Sequence, residues 1–251
     1  MKPVSADEVN KTLREFEQKW SGLAALHISP EGFVDYEGFE SRKKDLDILF
    51  NQYISRIPIK NLQPAQIKAF LINVYNILTI RGLLEFYPIK SILKKVDRTR
   101  LGFHYWKDTF ARFGDTTLSL DEIEHQYLRK TGDPRIHFAI VCGARSCPKL
   151  LQTAYRYKDV ENQLQEQAKD FFSSARNVRF EHELQVVYLS ELLNWFEQDF
   201  GSNSKEILKR VQGYLDEGTA AQLSGQLSEY AIAGYVHYDW SLNEQTSSKK
   251  D

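Results

Sequence analysis

Cysteine is scarce in this sequence: two in 251 residues, both within six positions of one another at 142 and 147. That count excludes a disulfide-dense scaffold, and their spacing with distant histidines fits no zinc pattern built on CxxC-type pairs. No Walker loop and no Gly-rich dinucleotide fingerprint is present. No metal and no cofactor is therefore expected. An excess of one charge is also lacking. With 33 basic and 34 acidic side chains the net charge is −1, so no basic field draws in nucleic acid, and no nucleic-acid partner is expected. No apolar run reaches the ~18 residues of a membrane helix, so no membrane span is expected. The opening MKPVSADEVNK has no apolar stretch of the signal-peptide kind. As written the chain is expected in the cytoplasm; a leader removed ahead of Met1, the only methionine, would make it periplasmic or secreted. Compartment then decides whether the two cysteines stay oxidised.

What is present is an ordinary globular composition, 42% hydrophobic and 27% charged, with 13 tyrosines, 15 phenylalanines and four tryptophans. No repeat, low-complexity tract or Pro/Gly/Ser linker divides the chain. Residues 1–251 read as one domain, with 243–251 a frayed tail.

Residues 5–20 read as an opening helix with Ser5 as N-cap and Glu8 closing a capping box. GFVDYEGF allows only a brief strand. QPAQIKAFLINVYNILTIRGLLEFY, 63–87, is apolar nearly all round at 100° per residue, which marks a helix buried on most sides. Asn73 and Asn76 sit on it about 60° apart. An unpartnered buried amide costs about 1–3 kcal/mol, so both must bond a crossing loop or a site. KDTFARFGDTTLSL reads as a hairpin turning at Gly114-Asp115. Ser119 and Glu122 then make a capping box for a helix whose apolar face holds Glu124, with His125 on its flank. RIHFAIVC reads as a strand covered on both faces. GARS turns, and Cys147-Pro148 suits a helix start. A helix follows near 158–175, a second hairpin across 177–190, a helix capped by Ser190, helices near 204–215 and 219–229, and a last short strand in GYVHYDWSLN. The total is α+β: a predominantly helical single domain with a small, mostly antiparallel sheet.

Two cysteines flanking a Gly-containing turn are either small core residues, a disulfide pair or reactive thiols. A helix N-terminus and nearby Arg145 would favour thiolate at Cys147. Cys142, at a strand end, would project into a site. A nucleophilic thiol needs a base and the base an orienter. His125, beside Glu124 in IEH, is the first choice, ahead of His137 and His104. Five residues before Cys142 in a strand, His137 would face the opposite side and read as a core histidine. Glu124 is either functional or salt-bridged to Arg135 or Arg129. Asn73 is either a helix-to-loop clamp or an orienting or oxyanion-stabilising amide.

FLINVYNILTI, LSLDEIEHQYLR, DPRIHFAIVCGARSCPKL, LSELLNWFEQDF and YDWSLN, in that order across residues 33–242, resemble the domain-of-unknown-function family 547. The resemblance implies no established reaction. It does imply recurring positions: Asn73, Asn76, Glu124, His125 and Cys142 match the pattern, while Leu71 stands where a Trp is usual. Cys147 matches only the bacterial form, which implies Cys142 as the nucleophile. By analogy the arrangement would be similar to the papain-like hydrolases.

The leading expectation is a thiol-dependent hydrolase or acyl transferase acting on a small molecule or peptide. Cys142 attacks, His125 is its base, and Glu124 and Asn73 orient or stabilise. Asn76, Arg135, Arg145 and Cys147 are expected binding residues. The alternatives are a non-catalytic binding module, docking through the aromatics of 235–240, and a redox protein using Cys142 and Cys147.

Overall fold

The computed structural model describes residues 5–95, 105–222 and 229–245. His104, residues 223–228 of the helix expected near 219–229 and the tail beyond residue 245 lie outside the described residues.

Helix α1 (Ala6–His27) starts where Ser5 Oγ accepts the Glu8 N–H at 3.2 Å. Val9, Leu13, Phe16, Trp20 and Leu23 form its buried stripe, one residue per turn, as an amphipathic helix requires. Helix α2 (Pro64–Leu84) is the central beam. Pro64 opens it, Gln63 and Gln66 cap it reciprocally, and every residue from Phe70 to Ile80 is buried. Contrary to expectation, α2 is long and apolar enough to cross a membrane, but 83% of that window is buried by the rest of the fold. Helix α3 (Val160–Ser173) packs Val160, Leu164, Ala168 and Phe171 inward, and α4 (Ser204–Gln212) adds Ile207, Leu208 and Val211. Buried side chains from Val9 to Leu242 make one contiguous apolar core.

The fold is α+β as read, with two small sheets instead of one. Strands β1 (Phe110–Phe113) and β2 (Thr116–Ser119) form an antiparallel hairpin around Gly114-Asp115. Strands β3 (Val178–Glu181) and β4 (Val186–Ser190) pair antiparallel, and β5 (Ala231–Val236) joins β4 in parallel. Residues 32–39 depart from the expected brief strand. Val34 makes only isolated bridges, and Asp35 Oδ1, accepting the Gly38 N–H at 2.8 Å, caps a short helix, Tyr36–Ser41.

Residues 135–142 depart further. No strand forms there. Asp133 caps and Pro134 opens a 3-10 turn, Pro134–Phe138. The backbone of the following residues finds its partners in the Asn76 side chain instead of a neighbouring strand. Nor does Cys147-Pro148 start a helix. The Cys147 N–H closes a turn on the Ala144 carbonyl at 3.0 Å, Gln167 Nε2 takes the Lys149 carbonyl at 2.7 Å, and helix resumes only at Val160. The half-positive charge of a helix N-terminus is therefore not available to Cys147.

Candidate functional site

The site is built outward from α2. Asn76 Nδ2 donates to the Ala139 carbonyl at 2.9 Å, and its Oδ1 accepts the Val141 N–H at 3.0 Å. The amide satisfies two backbone groups that a neighbouring strand would otherwise have paired, so residues 139–142 hang from the helix instead of a sheet. One turn earlier Asn73 treats Tyr155 the same way: Nδ2 donates to its carbonyl and Oδ1 accepts its N–H, both at 2.8 Å. The two asparagines are paired clamps holding the chain on either side of the cysteine turn.

That turn needs glycine at its second position. Gly143 has φ +90°, and a Cβ there would lie 2.3 Å from Leu83 Cδ1 of α2. A C-terminal strap, residues 239–243, covers the turn from outside. The Arg145 N–H donates to the Ser241 carbonyl at 2.8 Å, the Asn243 N–H to the Gly143 carbonyl at 2.9 Å, and the Ser146 N–H to the Asp239 carbonyl at 3.1 Å. The same segment delivers Tyr238 and Trp240.

Cys142 and Cys147 are free thiols, the first half-buried and the second buried. Their sulfurs lie 3.0 Å apart. Cys147 Sγ also accepts the Cys142 N–H at 3.1 Å, and the Tyr238 hydroxyl stands 3.4 Å from Cys147 Sγ and 3.7 Å from Cys142 Sγ. Burial pushes the Cys147 thiol up, but hydrogen bonds from the Cys142 thiol, the Tyr238 hydroxyl and backbone N–H groups more than offset it and hold Cys147 at about 7. Cys142, whose proton bridges to Cys147 in a buried setting, is pushed well above the ordinary thiol range. The pair carries one thiolate near neutral pH, stabilised by donors around it.

The sulfurs line an open cleft of about 160 Å³, together with Glu124, His137, Trp195, Tyr238 and Trp240. Glu124 is 8% exposed. It belongs to a widened, π-type turn, Ile123–Leu128, inside the helical run that Ser119 and Glu122 cap as expected. Its partner is Tyr75 of α2, whose hydroxyl donates to Oε2 at 3.0 Å; it bridges to neither Arg135 nor Arg129. His137 is buried and stacks on Phe196, ring centroids 4.0 Å apart. Its Nε2 donates to Asp199 Oδ2 at 2.7 Å. Arg129 grips Asp199 through both carboxylate oxygens, at 2.7 and 2.9 Å. Burial opposes ionisation of Asp199, but the His137 and Arg129 hydrogen bonds hold its carboxyl well below the usual carboxylate range.

The structure thus gathers Glu124, Cys142 and Cys147 in one cleft and leaves the other expected site residues outside it. His125 turns outward, 41% exposed, accepting from Arg129 at 3.0 Å and facing Asp121 at 3.8 Å. The widened turn separates it from its neighbour Glu124, and it reaches the cleft only through Arg129, Asp199 and His137. Asn73 is buried with both polar atoms bonded to Tyr155 and does not line the cleft, so it is not placed to stabilise an oxyanion there. Asn76 acts beneath Cys142 as a clamp. Arg135 is paired with Asp133 and Glu161. Arg145 stacks over Phe33 at 4.5 Å, on a separate surface.

The imidazole in the cleft is His137, set aside when a strand was assumed; in a 3-10 turn the alternation of faces does not apply. Tyr75, Trp195, Phe196 and Asp199 carry no role in the sequence reading, and Tyr238 enters it only among the aromatics of 235–240 in the docking alternative. Their signal was present in LSELLNWFEQDF and YDWSLN, whose polar and aromatic residues recur with the cysteine segment in one motif set.

Residues 59–172 match the family model described as Protein of unknown function, DUF547. The curated proteins and the solved structures give no match.

Proposed function

The chain belongs, through residues 59–172, to the DUF547 family, whose description names no reaction, and we propose from the cleft itself that it is a thiol–disulfide exchange site. The observation that carries this is the 3.0 Å separation of the two sulfurs. A disulfide bond is about 2.05 Å long, so closure asks for a movement of only about 1 Å.

The electrons balance as follows. Cys142, the more exposed sulfur, passes its proton to Cys147 and attacks one sulfur of a substrate disulfide. A mixed disulfide forms on Cys142 and one substrate thiolate leaves. Cys147, once deprotonated, attacks Cys142 Sγ and expels the second thiolate. Starting from the pair with its single shared proton, the protein loses two electrons and that proton, and the substrate disulfide leaves as one thiol and one thiolate, which takes its proton from solvent.

Treatment with glutathione disulfide followed by mass spectrometry tests the reading. Wild type should end as the internal disulfide, recoverable with reductant, while Cys147→Ala should stop at a glutathione adduct on Cys142. Wild type that keeps both thiols, or keeps a stable adduct, defeats it.

One observation favours a second reading, thiol-dependent acyl transfer or hydrolysis. His137 lines the same cleft, and Asp199 behind it orients the imidazole. Among the described residues neither sulfur hydrogen-bonds a histidine, so this reading comes second. It requires a nitrophenyl-ester burst lost in both Cys142→Ala and His137→Ala; no burst in wild type removes it.

A further inference from the structure

Among the described residues, the charge lining this cleft is one-sided. Glu124 is more than nine-tenths buried, and its single hydrogen bond, from Tyr75, falls on Oε2. Oε1 has no partner among the described residues and is not among the fully enclosed unpartnered atoms, so it keeps some exposure, and Glu124 is one of the residues that line the cleft. A carboxylate in an apolar wall without a counter-charge is costly. Among the described residues no lysine or arginine lines the cleft; the Arg129 guanidinium is committed to Asp199 and packs over the Phe196 ring at 5.3 Å. The thiol pair adds a second negative centre.

The same lining holds an aromatic cluster. Trp195 and Trp240 stack with centroids 5.3 Å apart, and Tyr238 lies 4.6 Å from Trp240 and 4.8 Å from Trp195. Trp195 remains 44% exposed at the mouth. Ring faces attract cations, most strongly when those are poorly hydrated. The cleft volume, about 160 Å³, falls below the roughly 300–1,000 Å³ of sites that enclose a whole ligand, so it suits one end of a molecule.

From these juxtapositions we propose that the cleft binds the organic-ammonium end of its substrate, with Glu124 as counter-charge and Trp195, Tyr238 and Trp240 as the aromatic wall. This deepens the exchange reading and rests on the same cleft being the working site. The substrate class is then an ammonium-bearing disulfide, and anionic disulfides are disfavoured by Glu124 and the thiolate.

The test has two arms. In a redox-silent Cys142→Ser/Cys147→Ser variant, tryptophan fluorescence is followed while choline or its uncharged isostere dimethylbutanol is added. Choline should bind at least about ten-fold more tightly, and Glu124→Gln in that background should remove the preference. Trp195→Ala, at an exposed position that the core does not need, should weaken choline several-fold. Equal binding of the two probes, no response to choline, or a preference that survives both substitutions overturns the proposal. In the second arm wild type is offered cystamine and bis(hydroxyethyl) disulfide. Faster oxidation by cystamine supports both claims. Choline binding without oxidation by either disulfide leaves the ammonium site standing and removes the exchange reading.

Discussion

Cys142 and Cys147 differ in role because their donors differ. Cys147 collects a backbone N–H, a thiol and a tyrosine hydroxyl, and Cys142 supplies two of these. A titration of thiolate ultraviolet absorbance in wild type should show one group near pH 7 and no second until well above pH 9. Cys147→Ser should move the remaining transition above about 8.5, the value of an unassisted thiol. Two independent transitions near 8.5 in wild type would contradict the shared proton. Tyr238→Phe should raise the first transition by about 1 unit, since a hydrogen bond to a charged group contributes about 1.5–3 kcal/mol before the site readjusts. His125→Ala should leave this titration unchanged, whereas His137→Ala removes the group that faces Asp199 and lines the cleft; equal effects of the two would deny the placement of His125 outside.

Helix α2 does more than fill the core. Its two asparagines hold segments on either side of the cysteine turn, and each satisfies one N–H and one carbonyl of buried backbone. Asn73→Ala and Asn76→Ala should each lower stability by about 2–4 kcal/mol in urea unfolding, because two backbone groups are orphaned. Only Asn76→Ala should also shift the thiolate titration, since Asn76 alone holds the chain one residue from Cys142. Much at this scale was legible in the sequence. The encircling apolar pattern of 63–87 required that Asn73 and Asn76 be bonded to something, and the capping residues at 5, 119 and 190 marked true helix starts. The segment 135–142 was not legible, because its apolar run is that of a buried strand while the pairing comes from amide side chains on a helix far away in sequence. The same misreading sent His137 to the wrong face; separately, Pro148 after Cys147 suggested a helix start, whereas Cys147 closes a turn on Ala144 and helix resumes only at Val160. Glu124 was placed inside correctly; His125 was not placed correctly, because a local widening of the helix breaks the regular wheel.

Across the whole molecule, a charged knot ties α2, α3 and the 3-10 turn ahead of His137. Lys68 reaches Asp133 and Glu161, each at 2.7 Å, and Arg135 reaches Asp133 at 2.8 Å. Burial opposes ionisation of Asp133, but Arg135 and Lys68 outweigh it and hold the carboxyl at about 2. Because the folded value lies below the unfolded one, the stabilisation is complete above about pH 4 and is lost as pH falls toward 2. From the fall of 3.8 to about 2 it amounts to about 2 kcal/mol. Asp133→Asn should therefore be less stable at pH 6 and lose less further stability between pH 4 and 2 than wild type, as denaturant melts at each pH will show; parallel acid losses would contradict this. Asp199, depressed by His137 and Arg129, adds to the same acid sensitivity. The account as a whole depends on the two thiols acting as one couple. Equilibrium oxidation in glutathione buffers, read by counting free thiols, measures that directly. The account predicts a reversible two-electron transition between roughly −270 and −120 mV, the span of working dithiol proteins. Thiols that stay reduced through the most oxidising buffer, or that oxidise one at a time, would contradict it.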